Sequence, residues 1–351
     1  MRQPADAKLS RLRQYRSETA RGPQLAQETG IASRSRRRVL IAIAALATTI
    51  YLGAAWAVDS ERILAAVEQL NWVGCGLVLA LSLANYCIRF QRWQMFVIRL
   101  GHHLPFARHL LYYLSGFAFT VSPGKAGEAV RSLYLRDYGV TYSQSIAALF
   151  VERLQDLLAM VLLASLIVYD RPAYRPLVGG ALILVVAMVW AATTKPLPAI
   201  LDRLAAYFRR ERIVRLLSAT AKLLRSSRAL LQARLLILGT AVGVISWGAE
   251  GLGYYLICRG LHIEVHLVVA IGIYALAVLA GTAAFFLPAG LGGMELVMTT
   301  LLVAQGAPLR ESLVATLLCR VATLWFAVLI GMVAAATVEM APARMRLRSA
   351  P

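Results

Sequence analysis

The stretch FARHLLYYLSGFAFTVSPGKAGE, residues 106–128, decides the fold. Phe106 to Ser122 is apolar but short, and it runs directly into Pro123, Gly124, Lys125 and Gly127. Proline and glycine break a helix, and irregular backbone at membrane depth survives only against protein or a wet cavity. The economical reading is a helix–break–helix hairpin that enters the membrane and leaves on the same side. A second stretch repeats the device. Leu267 to Leu287 is apolar and leads into LPAGLGGME at 287–295, with Pro288, Gly290, Gly292 and Gly293 in the break.

The rest of the chain puts these hairpins in a membrane. Of its 351 residues, 59% are hydrophobic, and the mean hydropathy is +0.64. Ordinary soluble domains are about half apolar, so the excess must face lipid. A hydrocarbon core of about 30 Å needs about 20 residues of helix. Six stretches answer to that: 39–58, 72–96, 146–169, 177–192, 235–258 and 312–338. The expected fold is an all-α integral membrane protein with six full transmembrane helices plus two broken re-entrant helical hairpins.

The formal charge is +19, from 37 Lys and Arg against 18 Asp and Glu. On a soluble protein that balance would suggest nucleic acid. Here the basic residues sit between apolar segments and at the chain ends, where the positive-inside rule puts them, so anionic membrane lipids are the expected partner and nucleic acid is not. The rule places residues 1–38, 195–234 and 341–351 in the cytoplasm and 59–71, 170–176 and 259–266 outside. That is a multi-pass protein of the inner (cytoplasmic) membrane with both termini cytoplasmic. Residues 1–38, interrupted by Pro4, Gly22, Pro23 and Gly30, read as a disordered basic tail. They hold no apolar core or cleavage site, so the first span is expected to be an uncleaved anchor.

Residues 195–234 carry ten Lys or Arg against Asp202 and Glu211, with Ile200, Leu204, Tyr207, Phe208, Ile213 and Leu216 recurring at helical spacing. The pattern predicts basic amphipathic helices on the inner leaflet, or a soluble helical hairpin. Cys75, Cys87, Cys258 and Cys319 lie inside apolar segments without paired spacing and read as packing residues.

An internal repeat links the two hairpins. A shift of 167 positions superimposes Glu128 on Glu295, Leu135 on Leu302, Gly139 on Gly306, Ser145 on Ser312, Ala148 on Ala315, Arg153 on Arg320 and Leu157 on Leu324 without a gap. Each half reads span, broken hairpin, span, over about 72–169 and about 235–338. Hairpins do not change side and three full crossings separate Glu128 from Glu295, so the halves should be oppositely oriented. Such an inverted repeat places a substrate path where the hairpins meet near mid-bilayer.

Charges within spans are costly and need a reason. Glu152, Arg153 and Asp156 share one turn of the third full span, Glu250 lies deep in the fifth, and Arg320 lies in the sixth. One reading is a structural ion-pair network that fixes helix register. The functional reading has Arg153, Arg320 and Lys125 hold a lipid phosphate, with Arg89 and Arg92 at the cytoplasmic end of the second span as further candidates. Arginine suits this role because its planar fork gives two bonds to phosphate oxygens. Glu128 and Glu295 fall in the first turn after each break, where favourable interaction with the helix dipole is the simpler role.

Catalytic and nucleotide signatures are absent: no G-x-S-x-G, no Walker loop and no H-E-x-x-H. His262 and His266 with Glu264 hint at a metal, but they lie in a short external loop, and a closed site needs three or four ligands. No metal, cofactor or catalytic residue is expected, and a transporter is favoured over an enzyme.

NYCIRFQRW at 85–93, SPGKAGEAVRSLYL at 122–135, VERLQDLLA at 151–159 and LPAGLGGMEL at 287–296 together resemble the lysylphosphatidylglycerol synthase transmembrane-region family of flippase-like membrane proteins. The resemblance covers about residues 39–340, which it marks as one flippase-like transmembrane domain. In fused members the membrane region is thought to translocate a modified phospholipid while a separate cytosolic domain attaches the amino acid. Stand-alone members are associated with hopanoid, polysaccharide or polyprenyl-linked glycan pathways, and this sequence resembles those in carrying no such cytosolic domain. The resemblance implies a flippase-like translocator of an anionic, phosphate-bearing lipid or lipid-linked glycan, with a separate lipid-modifying enzyme as a candidate partner. The alternative from a different class is a membrane-embedded transferase or the membrane subunit of a lipid-modifying enzyme.

Overall fold

The structure, a computed structural model, describes residues 71–121, 126–284 and 290–340, with isolated positions before 71. The tail 1–38, the span 39–58, Pro123, Gly124, Lys125, Pro288 and the tail 341–351 lie outside the described residues. Among the described residues all regular structure is helical, with no strand.

Helix α1, Asn71–Arg99, is 29 residues long. Its entry is set by Asn71, whose Oδ1 accepts from the amides of Val73 and Gly74 at 3.0 Å each, the side-chain capping that satisfies first-turn donors. Its exit is Gly101 at φ 89°. There Gly101 N donates to Ile98 O and His102 N to Val97 O, the paired bonds of a left-handed glycine cap.

The first hairpin follows. Helix α2, Phe106–Ser115, tightens into a 3-10 turn at Gly116–Phe119, so regular α-helix stops earlier than the apolar run to Ser122 suggested. After the break come a 3-10 segment Ala126–Val130, which contains Gly127, and the short helix α3, Arg131–Leu135. Helix α4, Tyr142–Ala164, opens on a reciprocal Thr141–Gln144 capping box and continues as α5, Leu166–Asp170. Helix α6, Arg175–Thr193, is followed by α7, Leu197–Tyr207, and α8, Glu211–Ser227. The last two pack on each other, and α8 also packs on α4. Arg225 is paired with Asp202 between them. The basic amphipathic segment is thus a helical hairpin laid against the rest of the fold, with Leu216, Tyr207 and Phe208 exposed.

Helix α9, Ala233–Gly260, leads to the second hairpin: α10, Leu267–Ala283, then α11, Gly293–Ala304. The last helical unit is α12, Leu309–Arg320, a π turn at Val321–Trp325, and α13, Phe326–Met340. Four helices are long and apolar enough to cross a membrane: Asn71–Arg99, Pro172–Thr193, Ala233–Gly260 and Leu309–Met340. Helices α10 and α11 are apolar but shorter. The 23-residue α4 carries Glu152, Arg153 and Asp156, and their charge sets it apart from the four.

Several boundaries recur 167 positions apart. Helical structure after the breaks begins at Ala126 and at Gly293. Gly139 and Gly306 both stand at positive φ, 79° and 93°. Each closes its helix with the same pair of bonds: Gly139 N to Arg136 O and Val140 N to Leu135 O, Gly306 N to Val303 O and Ala307 N to Leu302 O. The next helices begin at Tyr142 and Leu309.

Close approach at small residues holds these helices together, as expected where lipid removes the hydrophobic drive and leaves van der Waals packing. A Cβ on Gly272 of α10 would lie 2.8 Å from Ile167 N, and one on Gly331 of α13 would collide with Ala118 N in the first hairpin. One apolar core joins α4, α5, α9, α10, α11 and α12 around Met160, Ile273 and Met298. The other joins α1, α2, α4 and α8 around Phe90, Trp93, Phe96 and Tyr113.

Candidate functional site

The charged residues of α1 and α4 meet inside the fold. Glu152 of α4, fully buried, accepts from Arg131 Nη2 at 2.5 Å and from the Tyr113 hydroxyl at 3.0 Å. Arg89 and Arg92 stand 3.6 and 3.7 Å from it. One turn on, Asp156 accepts from Arg92 Nη2 at 2.5 Å, Arg89 Nη2 at 3.3 Å, Arg153 Nη1 at 3.4 Å and Trp247 Nε1 at 3.0 Å. Helical spacing on α1 turns Arg89 and Arg92 to the same face, and spacing on α4 does the same for Glu152 and Asp156. The guanidinium of Arg131 stacks on Trp93 at 3.6 Å and lies 4.9 Å from Tyr113, and that of Arg89 lies 4.8 Å from the Trp247 ring. These stacked planes are the arrangement that makes arginine tolerable in a dry interior.

Glu128, just after the first break, is ion-paired with Arg153 of α4 and accepts from Thr120 Oγ1 at 3.4 Å. The second hairpin repeats the pairing. Glu295 at the start of α11 accepts from Arg320 Nε at 2.7 Å and from Gly292 N at 2.7 Å. Both pairs span 25 positions of chain. Glu128 and Glu295 therefore do more than face a helix dipole: each fastens its hairpin to the next long helix. Arg320 also donates from Nη1 to Met294 Sδ at 3.1 Å.

Both hairpins contribute to one cavity of about 310 Å³. Its wall includes Thr120 and Glu128 from the first hairpin and Gly281, Thr282, Gly290 and Met294 from the second. Arg89, Arg153, Asp156, Glu250 and Arg320 supply its charge, and Tyr86, Phe117, Trp247 and Tyr274 its aromatic surface. Of the candidates read from sequence, Arg92 and Glu152 lie behind this wall, wholly buried. Gly292, Gly293 and Glu295 stand in or beside the second half-helix start, and Glu295 meets the cavity through Arg320. Gly290, at φ 66°, packs its backbone against Gly281 so closely that a Cβ would collide with Gly281 O.

Arg131, Trp247 and Tyr274 are among the participants not singled out from sequence. Arg131 looks like a surface residue in the run RSLYLRD, and only its burial shows otherwise. Trp247 and Tyr274 sit alone in apolar helices, where an indole N–H or phenol in need of a partner was the available signal. Among the described residues no three His, Cys, Asp or Glu side chains gather as metal ligands, and none of the four cysteines is in a disulfide.

Comparison with known proteins places this geometry in context. The family described as "Lysylphosphatidylglycerol synthase TM region" matches residues 38–331. No curated protein matches the chain.

Proposed function

Because the chain belongs to the lysylphosphatidylglycerol synthase transmembrane-region family, we propose that this membrane protein of lipid-related function is a flippase-like translocator. Its cargo is an anionic, phosphate-bearing lipid or lipid-linked glycan, moved across the inner membrane. The observation that carries the reading is the pair of equivalent ion pairs, Arg153 with Glu128 and Arg320 with Glu295, whose arginines face one cavity shared by two broken hairpins.

The cavity volume stands at the lower end of the range for ligand sites, about 300–1,000 Å³. That suits a headgroup held inside the protein while the acyl chains stay in lipid. Arg89 and Arg153 line it from one half and Arg320 from the other, and a phosphate bound there competes with Glu128 and Glu295 for the guanidinium forks. Each hairpin is then released from its neighbouring helix when cargo takes the arginine.

The architecture that goes with this function is an inverted repeat of about 72–169 and about 235–338 within one domain, 39–340. The shared spacing of helix starts, glycine caps and ion pairs supports it. In this reading α4 with α5 crosses the membrane with its charges turned inward, residues 39–58 supply the sixth crossing, and both termini lie in the cytoplasm. A separate lipid-modifying enzyme is the partner that would supply the cargo.

The test is the purified protein in vesicles with fluorescent phosphatidylglycerol and polyprenyl phosphates. Movement between leaflets without chemical change supports translocation. A chemically altered lipid would instead assign a membrane-embedded transferase, and absence of both movement and chemical change would overturn the lipid-translocation reading.

A further inference from the structure

The α7–α8 hairpin shows more apolar surface than its packing covers. At about 100° per residue, the apolar residues of α7 extend over roughly half of its circumference. Pro198, Leu201 and Ala205 take one part of that half to the fold. Ile200, Leu204 and Tyr207 occupy the rest and stay exposed, with Phe208 beside them. Tyr207 is 84% exposed. In water such a strip marks an interaction site.

Cations surround this strip. Arg209, Arg210 and Arg212 follow the two aromatic residues directly, and all three are exposed. Both acidic residues of 195–234 are held within the hairpin itself, Asp202 by Arg225 and Glu211 by Arg215. An aromatic and aliphatic face bordered by arginines is the pattern of a helix lying at a lipid headgroup boundary.

The connections leave the hairpin little choice of surroundings. Residues 194–196 alone join α6 to α7, and 228–232 alone join α8 to α9. Helices α6 and α9 are both long and apolar enough to cross a membrane. On the other side α8 packs on α4, where Ser226 and Ser143 share a hydrogen bond of 3.0 Å. The hairpin is thus tied at both ends to membrane-crossing helices, and the leaflet is the surface always within its reach.

We propose that the exposed face of the α7–α8 hairpin is a docking site for anionic lipid headgroups of the cytoplasmic leaflet. Ile200, Leu204, Tyr207 and Phe208 seat at the boundary between headgroups and acyl chains, and Arg209, Arg210 and Arg212 bind the phosphates. Aromatic rings suit that depth because one end is apolar and the other is wet. The arginines make the seating depend on negative lipid charge and weaken it as salt rises. Docking of this kind needs the membrane and not the cargo, so it stands apart from the translocator reading.

The experiment places an environment-sensitive fluorophore on Ala206→Cys, an exposed position of α7, in the full-length protein. The background carries Cys75→Ala and Cys87→Ala, and Cys258 and Cys319 are buried. The protein is reconstituted into vesicles of phosphatidylcholine, alone or mixed with phosphatidylglycerol, with a nitroxide quencher on the upper acyl chain. Both leaflets have the same composition, so orientation does not affect the reading. Quenching is expected to rise with phosphatidylglycerol and to fall with added salt. The combined variant Arg209→Gln, Arg210→Gln, Arg212→Gln is expected to lose the dependence on phosphatidylglycerol, and the corresponding Lys variant to keep it. Three results overturn the docking site. Absence of quenching in both mixtures leaves the hairpin in water, with its surface open to an acidic protein instead. Equal quenching with and without phosphatidylglycerol denies the recognition of charge. Undiminished dependence in the Gln variant denies the role of these arginines.

Discussion

Arg320 donates from Nε to Oε1 of Glu295 at 2.7 Å, while the other oxygen of Glu295 accepts from Gly292 N at the same distance. One carboxylate thereby caps the second half-helix and fastens it to α12. Glu128 divides its two oxygens in the same way, between Arg153 and Thr120. In each hairpin a single acidic residue holds the segment before or within the break, the segment after it and the long helix beyond.

Replacing either arginine separates holding the fold from holding the cargo. Arg153→Gln strands a buried Glu128, a loss expected at about 3–5 kcal/mol. The double variant Arg153→Gln, Glu128→Gln should recover most of that stability and still move no lipid, and Arg153→Lys should move lipid partly, having charge without the fork. Arg320 and Glu295 should behave alike. Thermal denaturation and lipid movement measured on the same preparations decide the matter: activity restored in step with stability in the double variant would refute the binding role.

Glu152 should be the most sensitive carboxylate to folding. It holds Arg131 and Tyr113 directly and stands near Arg89 and Arg92. Glu152→Gln should lower stability by about 3–5 kcal/mol, and Tyr113→Phe, which removes one bond to a charged group, by about 1.5–3 kcal/mol. Comparable small effects from both, read from denaturation in detergent, would show that the network contributes little.

Gly331 is where α13 receives the first hairpin. Gly331→Ala should lower stability by about 1–3 kcal/mol because the collision is with backbone, which cannot rotate away. Gly180→Ala in α6, with nothing within 4 Å of the added carbon, is the control and should change stability little or raise it. A melting shift of equal size in the two would contradict the packing described.

Cysteine accessibility scanning should label positions in 195–234 from the cytoplasmic side and positions in 170–176 and 259–266 from outside, with 1–38 and 341–351 cytoplasmic, as charge bias demands. External labelling of the α7–α8 hairpin would overturn the positive-inside orientation and the inverted repeat together.

Much of this was legible in the chain itself. Hydropathy located α1, α6, α9 and the α12–α13 unit, because about 20 apolar residues leave few alternatives. The 167-residue spacing brought out Glu128, Glu295, Arg153 and Arg320, although it left Glu128 and Glu295 at a helix dipole rather than on the arginines. Contacts between segments are what hydropathy cannot carry. Arg131 lies on a five-residue helix, too short for periodicity to show a buried face, and its partner Glu152 is 21 positions away. The end of α2 was missed because a 3-10 turn uses the same apolar residues as the helix it extends.

The π turn at Val321–Trp325 bears on how one helix can serve two hairpins. The α12 side of it packs on α11, and the α13 side packs on α2 and the 3-10 turn that follows it. An i→i+5 turn accommodates an extra residue, which shifts the angular phase of everything downstream by about 100°. It also leaves Thr323 O to accept from the Tyr86 hydroxyl at 2.8 Å. Without that phase shift, the strip of Ala327, Gly331 and Ala334 that admits the first hairpin would be turned aside while Arg320 still pointed at the second. The local irregularity thus sets how the two hairpins are faced relative to each other along a single helical unit.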